Sequence, residues 1–139
     1  MRKILQQLPI WAAALWWGSL TTLVFLVVPL LFAHLPTAAQ AGHMAAKLFT
    51  AQTWVTVVCT VLLLLASRPR EGEEGHSPLQ AARLYVTGGL LLALLLEFAV
   101  APRILARENF VLWHRMGGAM YVLQWVCAAV TLWRLQRQN

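Results

Sequence analysis

The chain alternates between four long apolar blocks and short polar segments. The blocks cover about residues 8–33, 48–66, 84–101 and 111–133, each close to the roughly 20 residues with which a helix crosses about 30 Å of hydrocarbon. None shows the alternating polarity of a β-barrel strand, and lipid admits only helices or closed barrels. The pattern predicts an all-α, integral membrane four-helix bundle. A single transmembrane domain is expected over residues 1–139, with a cytoplasmic linker at 67–83.

The composition excludes an ordinary soluble domain. Hydrophobic residues make up 60% of the chain and charged residues 12%, against roughly 45–50% and about 25% in soluble proteins. The net charge of +6 is spread over the short segments between blocks, so the expected partner is the lipid bilayer and not nucleic acid. The first block is longer than the apolar core of a signal peptide, which favours a retained helix over a cleaved leader.

The distribution of Lys and Arg predicts the topology. Cytoplasmic loops of membrane proteins carry an excess of these residues. Seven fall on one side and four on the other, the first set being Arg2, Lys3, Arg68, Arg70, Arg83, Arg134 and Arg137, and the second Lys47, Arg103, Arg107 and Arg115. We therefore expect a multi-pass protein of the bacterial inner membrane with both termini cytoplasmic.

The first and third blocks end in related segments. Phe25 to Ala33 and Phe98 to Ala106 share Phe, Val, Pro and Ala in register. Each unit would contain two helices, so both units would point the same way, as in a two-plus-two parallel internal repeat. The alternative is a chance match, since proline near a helix end is common.

Each block also carries small and polar residues at helical spacing. Such residues mark the faces on which membrane helices meet, because lipid is as apolar as leucine. We expect Leu, Val and Trp on the opposite faces. The predicted inward residues are Ala14, Gly18 and Thr22 in the first block, Gln52, Thr56 and Cys59 in the second, Gly89, Ala93, Glu97 and Ala101 in the third, and His114, Gly117, Tyr121, Gln124, Ala128 and Thr131 in the fourth.

Glu97 is the only acidic residue inside a block, and the one basic residue, Arg115, lies at the start of the fourth block. A carboxylate in hydrocarbon costs about 2.5–3.5 kcal/mol and persists where it is paired or used. The functional interpretation is a vestibule, open to the outer side, that binds or passes a small polar or cationic solute or an ion. Its expected lining is Glu97, His114, Tyr121, Gln124, Gln52, Lys47 and Arg103. The structural alternative is a pair between Glu97 and either Arg103 or His114.

Metal or haem chemistry is a second possibility with little support. His114, Cys59, Cys127, Met116 and Met120 could act as ligands of a soft metal, but no second histidine lies at a comparable depth for a bis-histidine haem. No cofactor and no catalytic residue is predicted, because enzyme motifs such as CxxC, HExxH and a phosphate loop are absent. A third interpretation is a structural subunit of a homo-oligomer or larger membrane complex.

Three segments carry a family resemblance: LWWGSLTTLVFLVVPLLFAHLP with AGHMAAKLF, LEFAVAPRILA, and FVLWHRMGGAMYVLQW. They resemble bacterial four-helix membrane proteins grouped as a domain of unknown function, which are similar to an animal transmembrane protein linked to platinum-drug tolerance. The chain is also distantly similar to copper-resistance D and protoporphyrinogen-oxidising four-helix proteins, which would imply copper or haem. Those usually have a histidine early in the first helix, where this chain reads Leu8-Pro9-Ile10-Trp11. The matching positions are Trp17-Gly18, Pro29, Lys47-Leu48-Phe49, Pro102-Arg103, and Phe110 with His114.

Overall fold

A computed structural model describes residues 2–69 and 77–137, and it contains four long helices and no strand within those ranges. Each helix is long and apolar enough to cross a membrane. The prediction of an all-α four-helix bundle is therefore confirmed. Helix 1 consists of Arg2–Thr22, Leu23–Val27 and Val28–His34, helix 2 of Ala38–Ala66, helix 3 of Pro78–Leu95, Leu96–Val100 and Ala101–Leu105, and helix 4 of Phe110–Gln136.

Helix 2 starts about ten residues earlier than its apolar block suggests. Thr37 caps it, since the Thr37 side chain accepts a hydrogen bond from the Gln40 backbone N–H at 3.2 Å. The alanine-rich stretch that follows favours helix even without hydrophobic periodicity. Residues 35–37 alone connect helices 1 and 2, a shorter connection than the interval between the first two apolar blocks, residues 34–47.

Helix 3 also begins early, at Pro78 instead of residue 84. Ser77 and Gln80 form a reciprocal capping box, and proline occupies the first turn, where its missing N–H is not needed. The predicted linker 67–83 is correspondingly too long. The connection between helices 2 and 3 is shorter than predicted, and most of it, residues 70–76, lies outside the described residues.

The other connection, residues 106–109, joins helices 3 and 4 through left-handed backbone at Arg107 and Asn109, with φ of 55° and 39°. We name the end of the bundle that carries residues 35–37 and 106–109 the outer end, following the predicted topology, and the opposite end the inner end.

Helix 3 extends to Leu105. Glu97 therefore lies eight residues, or about 12 Å, below that end of the helix, which is deeper than the apolar block implied.

The four helices form a ring in chain order. Each helix packs on the next, and helix 4 closes the ring by packing on helix 1. The buried apolar core fills the inner half and contains Ala12, Ala13, Trp16, Leu20, Cys59, Leu63, Leu79, Val86, Ala128 and Leu135. Trp16 crosses the ring from helix 1 and lies against Gly89 of helix 3, so a Cβ at residue 89 would collide with its indole ring. The missing side chain of Gly89 thus provides the space that Trp16 occupies.

Helices 1 and 3 contain matching π-helical turns. In helix 1 the Val28 N–H bonds to the Leu23 carbonyl, and in helix 3 the Ala101 N–H bonds to the Leu96 carbonyl, at positions 73 residues later. A proline follows each turn at the same distance, Pro29 or Pro102. Proline lacks an N–H and clashes with the carbonyl four residues earlier, which a widened turn relieves. The shared backbone feature supports the predicted internal repeat.

The predicted inward face is right for helices 2, 3 and 4 in their middle portions and wrong for helix 1. Ala14 and Gly18 are only half-buried and Thr22 is exposed, whereas Trp16 and Leu20 are fully buried. The rule that small residues face a neighbour fails here because the small residue lies on the opposite helix, at Gly89. Ala14, Gly18 and Thr22 instead line part of an open groove of about 440 Å³ on the surface of the bundle.

Candidate functional site

Hydrogen bonds from side chains link the helices across the middle and outer parts of the bundle. By contrast, the buried hydroxyls of the inner half, such as Thr60 and Thr131, donate to carbonyls of their own helix. In the middle and outer parts, the interhelical bonds are Gln52 to Ser19 at 2.9 Å, Thr50 to Glu97 at 2.9 Å, Tyr121 to the Leu20 carbonyl at 3.0 Å, Gln124 to Thr56 at 3.1 Å and Trp125 to Thr21 at 2.8 Å. At the inner end, Arg134 donates to the Ala81 carbonyl of helix 3 at 3.4 Å, and Thr60, Ser67 and Thr131 are buried. Side-chain hydrogen bonds between helices are therefore more numerous in the middle and outer parts, but polar residues are not confined there.

Three of the predicted lining residues are committed to partners in this network. Gln52 and Gln124 are buried and donate to hydroxyls of helix 1 and, across the ring, of helix 2, while the half-buried Tyr121 donates to a backbone carbonyl. Such bonds are worth about 0.6 kcal/mol each on average in membrane proteins. These three side chains therefore link one helix to another, which is a structural role.

Glu97 lies in the π-helical turn of helix 3 and is half-buried. Its Oε1 accepts a hydrogen bond of 2.9 Å from the Thr50 hydroxyl of helix 2. Among the described residues, no basic nitrogen lies within 4 Å of the carboxylate. The pair with Arg103 or His114, expected as a structural alternative, is thus not formed.

Arg103 and His114 have other contacts. The Arg103 guanidinium donates to the Ala99 carbonyl at 2.9 Å and lies 4.5 Å from the centre of the Trp113 ring. His114 is exposed and stacks on Phe110, with ring centroids 5.3 Å apart. Both residues belong to the outer rim of helices 3 and 4, and neither approaches the carboxylate.

The two helix pairs separate above Glu97. The last segment of helix 3, Ala101–Leu105, packs mainly on helix 4, and the last segment of helix 1, Val28–His34, packs mainly on helix 2. Contacts between helices 2 and 3 at this level involve the π-helical turn Leu96–Val100. We name the space above Glu97 and Thr50, between the two pairs, the outer cleft. The Glu97–Thr50 hydrogen bond marks the lower limit of this region, and Glu97 does not line the open groove of helix 1.

Aromatic and basic side chains lie near the Glu97–Thr50 hydrogen bond. Phe49, beside Thr50 on helix 2, meets the ring of Tyr121 edge-on at 5.4 Å between centroids. Lys47 lies one turn above Thr50 on helix 2 and is exposed.

The five metal-ligand candidates are dispersed. His114 and Cys127 are thirteen residues, or about 20 Å, apart along helix 4. Cys59 is buried in the inner-half core on helix 2, and the exposed Met116 lies near the outer end of helix 4. Within the described part of the chain, no group of three His, Cys, Asp or Glu side chains could hold a metal ion.

Sequence reasoning identified Glu97 but missed Thr50, its one hydrogen-bond partner within the described part of the chain. A signal was available, since Thr50 precedes Thr53, Thr56 and Thr60 at helical spacing. The inward stripe of helix 2 therefore begins at Thr50, before the first predicted inward residue, Gln52. The hydroxyl of Thr21 and the indole of Trp125 were missed because neither lies on a stripe of small residues.

The sequence matches a family described as a domain of unknown function, DUF4149, over residues 11–109. No curated protein and no solved structure matches it. The resemblances to animal, copper-resistance and protoporphyrinogen-oxidising proteins consequently have no named relative in their support. The matched region contains most of helix 1, all of helices 2 and 3, both π-helical turns and the Thr50–Glu97 contact. This is a multi-pass membrane protein with four helices long and apolar enough to span a membrane, and with a match over most of its length the chain belongs to the DUF4149 family.

Proposed function

We propose that this protein binds a small cation at Glu97, reached through the outer cleft from the periplasmic side of a bacterial inner membrane. The observation that carries the proposal is a half-buried carboxylate inside a membrane span with a single hydroxyl partner and no basic partner among the described residues. An ionisable group at this depth is retained where it is paired or used.

The surroundings of Glu97 favour a cation over a neutral solute. The Thr50 hydroxyl donates to one carboxylate oxygen and leaves acceptor capacity on the group, since an ionised carboxylate can accept about four hydrogen bonds. The nearby Phe49–Tyr121 pair offers aromatic faces of the kind that attract cations.

Lys47 opposes this binding from the cleft entrance. Its ammonium is exposed on helix 2, one turn above Thr50. A like charge at the entrance lowers the local concentration of cations and slows their arrival. Removing the Lys47 charge should therefore change cation binding in the opposite direction from removing the Glu97 charge.

The test uses purified full-length protein in nanodiscs of zwitterionic lipid, with radiolabelled Rb⁺ and tetramethylammonium as probes. We expect Glu97→Gln to lower the affinity for the better probe at least tenfold, which corresponds to about 1.4 kcal/mol. Glu108→Gln is the matched control, because it removes the same charge from the exposed outer connection. Lys47→Gln should strengthen binding.

Two outcomes would contradict the proposal: wild-type protein that binds neither probe above the level of empty nanodiscs, or Glu97→Gln protein that binds as tightly as Glu108→Gln. Thr50→Val and Thr53→Val form a second matched pair. Only Thr50 donates to the carboxylate, whereas Thr53 donates to the Phe49 carbonyl of its own helix. Thr50→Val should weaken probe binding and Thr53→Val should not.

A further inference from the structure

The inner end of the bundle carries two arginines that form no ion pair with an acidic side chain in the described part of the chain. The Arg134 guanidinium lies 5.0 Å from the centre of the Tyr85 ring, and its Nη1 contacts the Ala81 carbonyl at 3.4 Å. Arg137 lies 3.9 Å from the centre of the Trp133 ring. Aromatic faces and one carbonyl therefore fix these guanidinium groups in place.

These residues lie together on the outside of the seam between helices 3 and 4. Arg134 and Arg137 are three positions apart, so they share one face of helix 4. Tyr85 and the Ala81 carbonyl belong to the facing side of helix 3. The side chain of Trp133 is half exposed at the same level, as for residues of an aromatic belt at the membrane surface.

The charge around the seam is positive. Of the five acidic residues in the sequence, the two within the described ranges, Glu97 and Glu108, lie toward the outer end. The other three, at 71, 73 and 74, fall outside the described residues. A guanidinium whose remaining N–H groups are free presents planar donors that match a phosphate.

We propose that Arg134, Arg137 and Tyr85 form a binding site for the phosphate of an anionic phospholipid in the adjoining leaflet. Basic pockets between membrane helices bind such headgroups, with about 1 kcal/mol contributed by each Lys or Arg near the surface. The lipid phosphate lies between the two guanidinium groups, and its acyl chains follow the apolar seam below. This site is independent of Glu97 and of the outer cleft.

The test measures the preference of the full-length protein for spin-labelled phosphatidylglycerol over spin-labelled phosphatidylcholine in mixed vesicles, from the motionally restricted fraction of each label. We expect R134Q/R137Q to reduce the preference at least threefold. R68Q/R83Q is the matched control, because it removes two exposed arginines from the same end. It should retain most of the preference.

The Arg137 side chain lies over the ring of Trp133 in its own helix and makes no hydrogen bond to another described residue, so R137Q alone should fold normally and still lower the preference measurably. The site is refuted if R137Q and R134Q/R137Q match the wild type, or if R68Q/R83Q lowers the preference equally, since that would reflect total charge. Inorganic phosphate added to the buffer should leave the preference intact. Complete displacement of the lipid by inorganic phosphate would instead assign the site to a soluble anion and overturn the proposal.

Discussion

Helices 1 and 3 have the same backbone design and different chemistry. Each crosses the membrane, widens into a five-residue π-helical turn and continues after a proline. The turns lie 73 residues apart, which aligns Trp16 with Gly89 and Val24 with Glu97. The first pair meets at the centre of the ring. The second pair occupies the same place in the two turns.

This comparison separates what the fold requires from what the site requires. Because helix 1 has a π-helical turn without any charge, the turn follows from proline and not from the carboxylate. Only helix 3 fills the turn with Glu97, and only there does a facing hydroxyl, Thr50, donate to it. The two helices thus share a backbone design, and only the turn of helix 3 carries a carboxylate.

The largest expected effect comes from the central contact. Trp16→Ala should destabilise the protein by about 3–5 kcal/mol, because it empties a fully buried site in the inner half. Its indole Nε1 has no hydrogen-bond partner within the described residues, so Trp16→Phe should cost much less. Unfolding in mixed micelles measures both, and Trp54→Ala at an exposed position is the control. Equal losses for residues 16 and 54 would refute the central packing.

A carboxylate placed in the turn of helix 1 tests the second aligned pair. Val24→Glu should destabilise the protein by about 2.5–3.5 kcal/mol. The position that corresponds to Thr50 is Leu123, which has no hydrogen-bond donor in its side chain. The same micelle assay measures the loss, and cation binding shows whether the new carboxylate adds a site. Wild-type stability together with a second bound cation would show that either turn can hold the charge.

The smallest expected loss of stability is for a substitution of Gly89, the residue against which Trp16 packs. Gly89→Ala should destabilise the protein by about 1–3 kcal/mol, since its Cβ meets the buried indole ring. Gly118→Ala is the control, because a Cβ there has nothing within 4 Å. If both substitutions are neutral in the unfolding assay, Trp16 does not depend on the space at residue 89.

The sequence predicts the fold class well because membrane spans follow from length and apolarity alone. It predicts helix ends poorly, since Thr37 and Ser77 begin helices through capping bonds outside the apolar blocks. It identifies Glu97 by its charge. It could not place helix 1 correctly, because the inward direction of Trp16 depends on a glycine of another helix that is distant in sequence.

The rest of the site depends on side-chain choices that spacing does not determine. Arg103 could equally have reached Glu97, but it bonds to the Ala99 carbonyl of its own helix and lies over Trp113. His114 stacks on Phe110 at the rim. Composition and periodicity predict that Arg103 and His114 lie at about the depth of the carboxylate. They do not determine which local group each side chain contacts.

The most direct measurement of the central claim is the accessibility of the two aligned turn positions to water. Glu97→Cys and Val24→Cys would be introduced separately into protein whose native cysteines, Cys59 and Cys127, are replaced by alanine. A membrane-impermeant, positively charged thiol reagent is then applied to each side of sealed vesicles. We expect position 97 to react rapidly from one side only and position 24 to remain unreactive. No reaction at 97, or equal reaction at both positions, would contradict a cation site at Glu97 that is reached through the outer cleft.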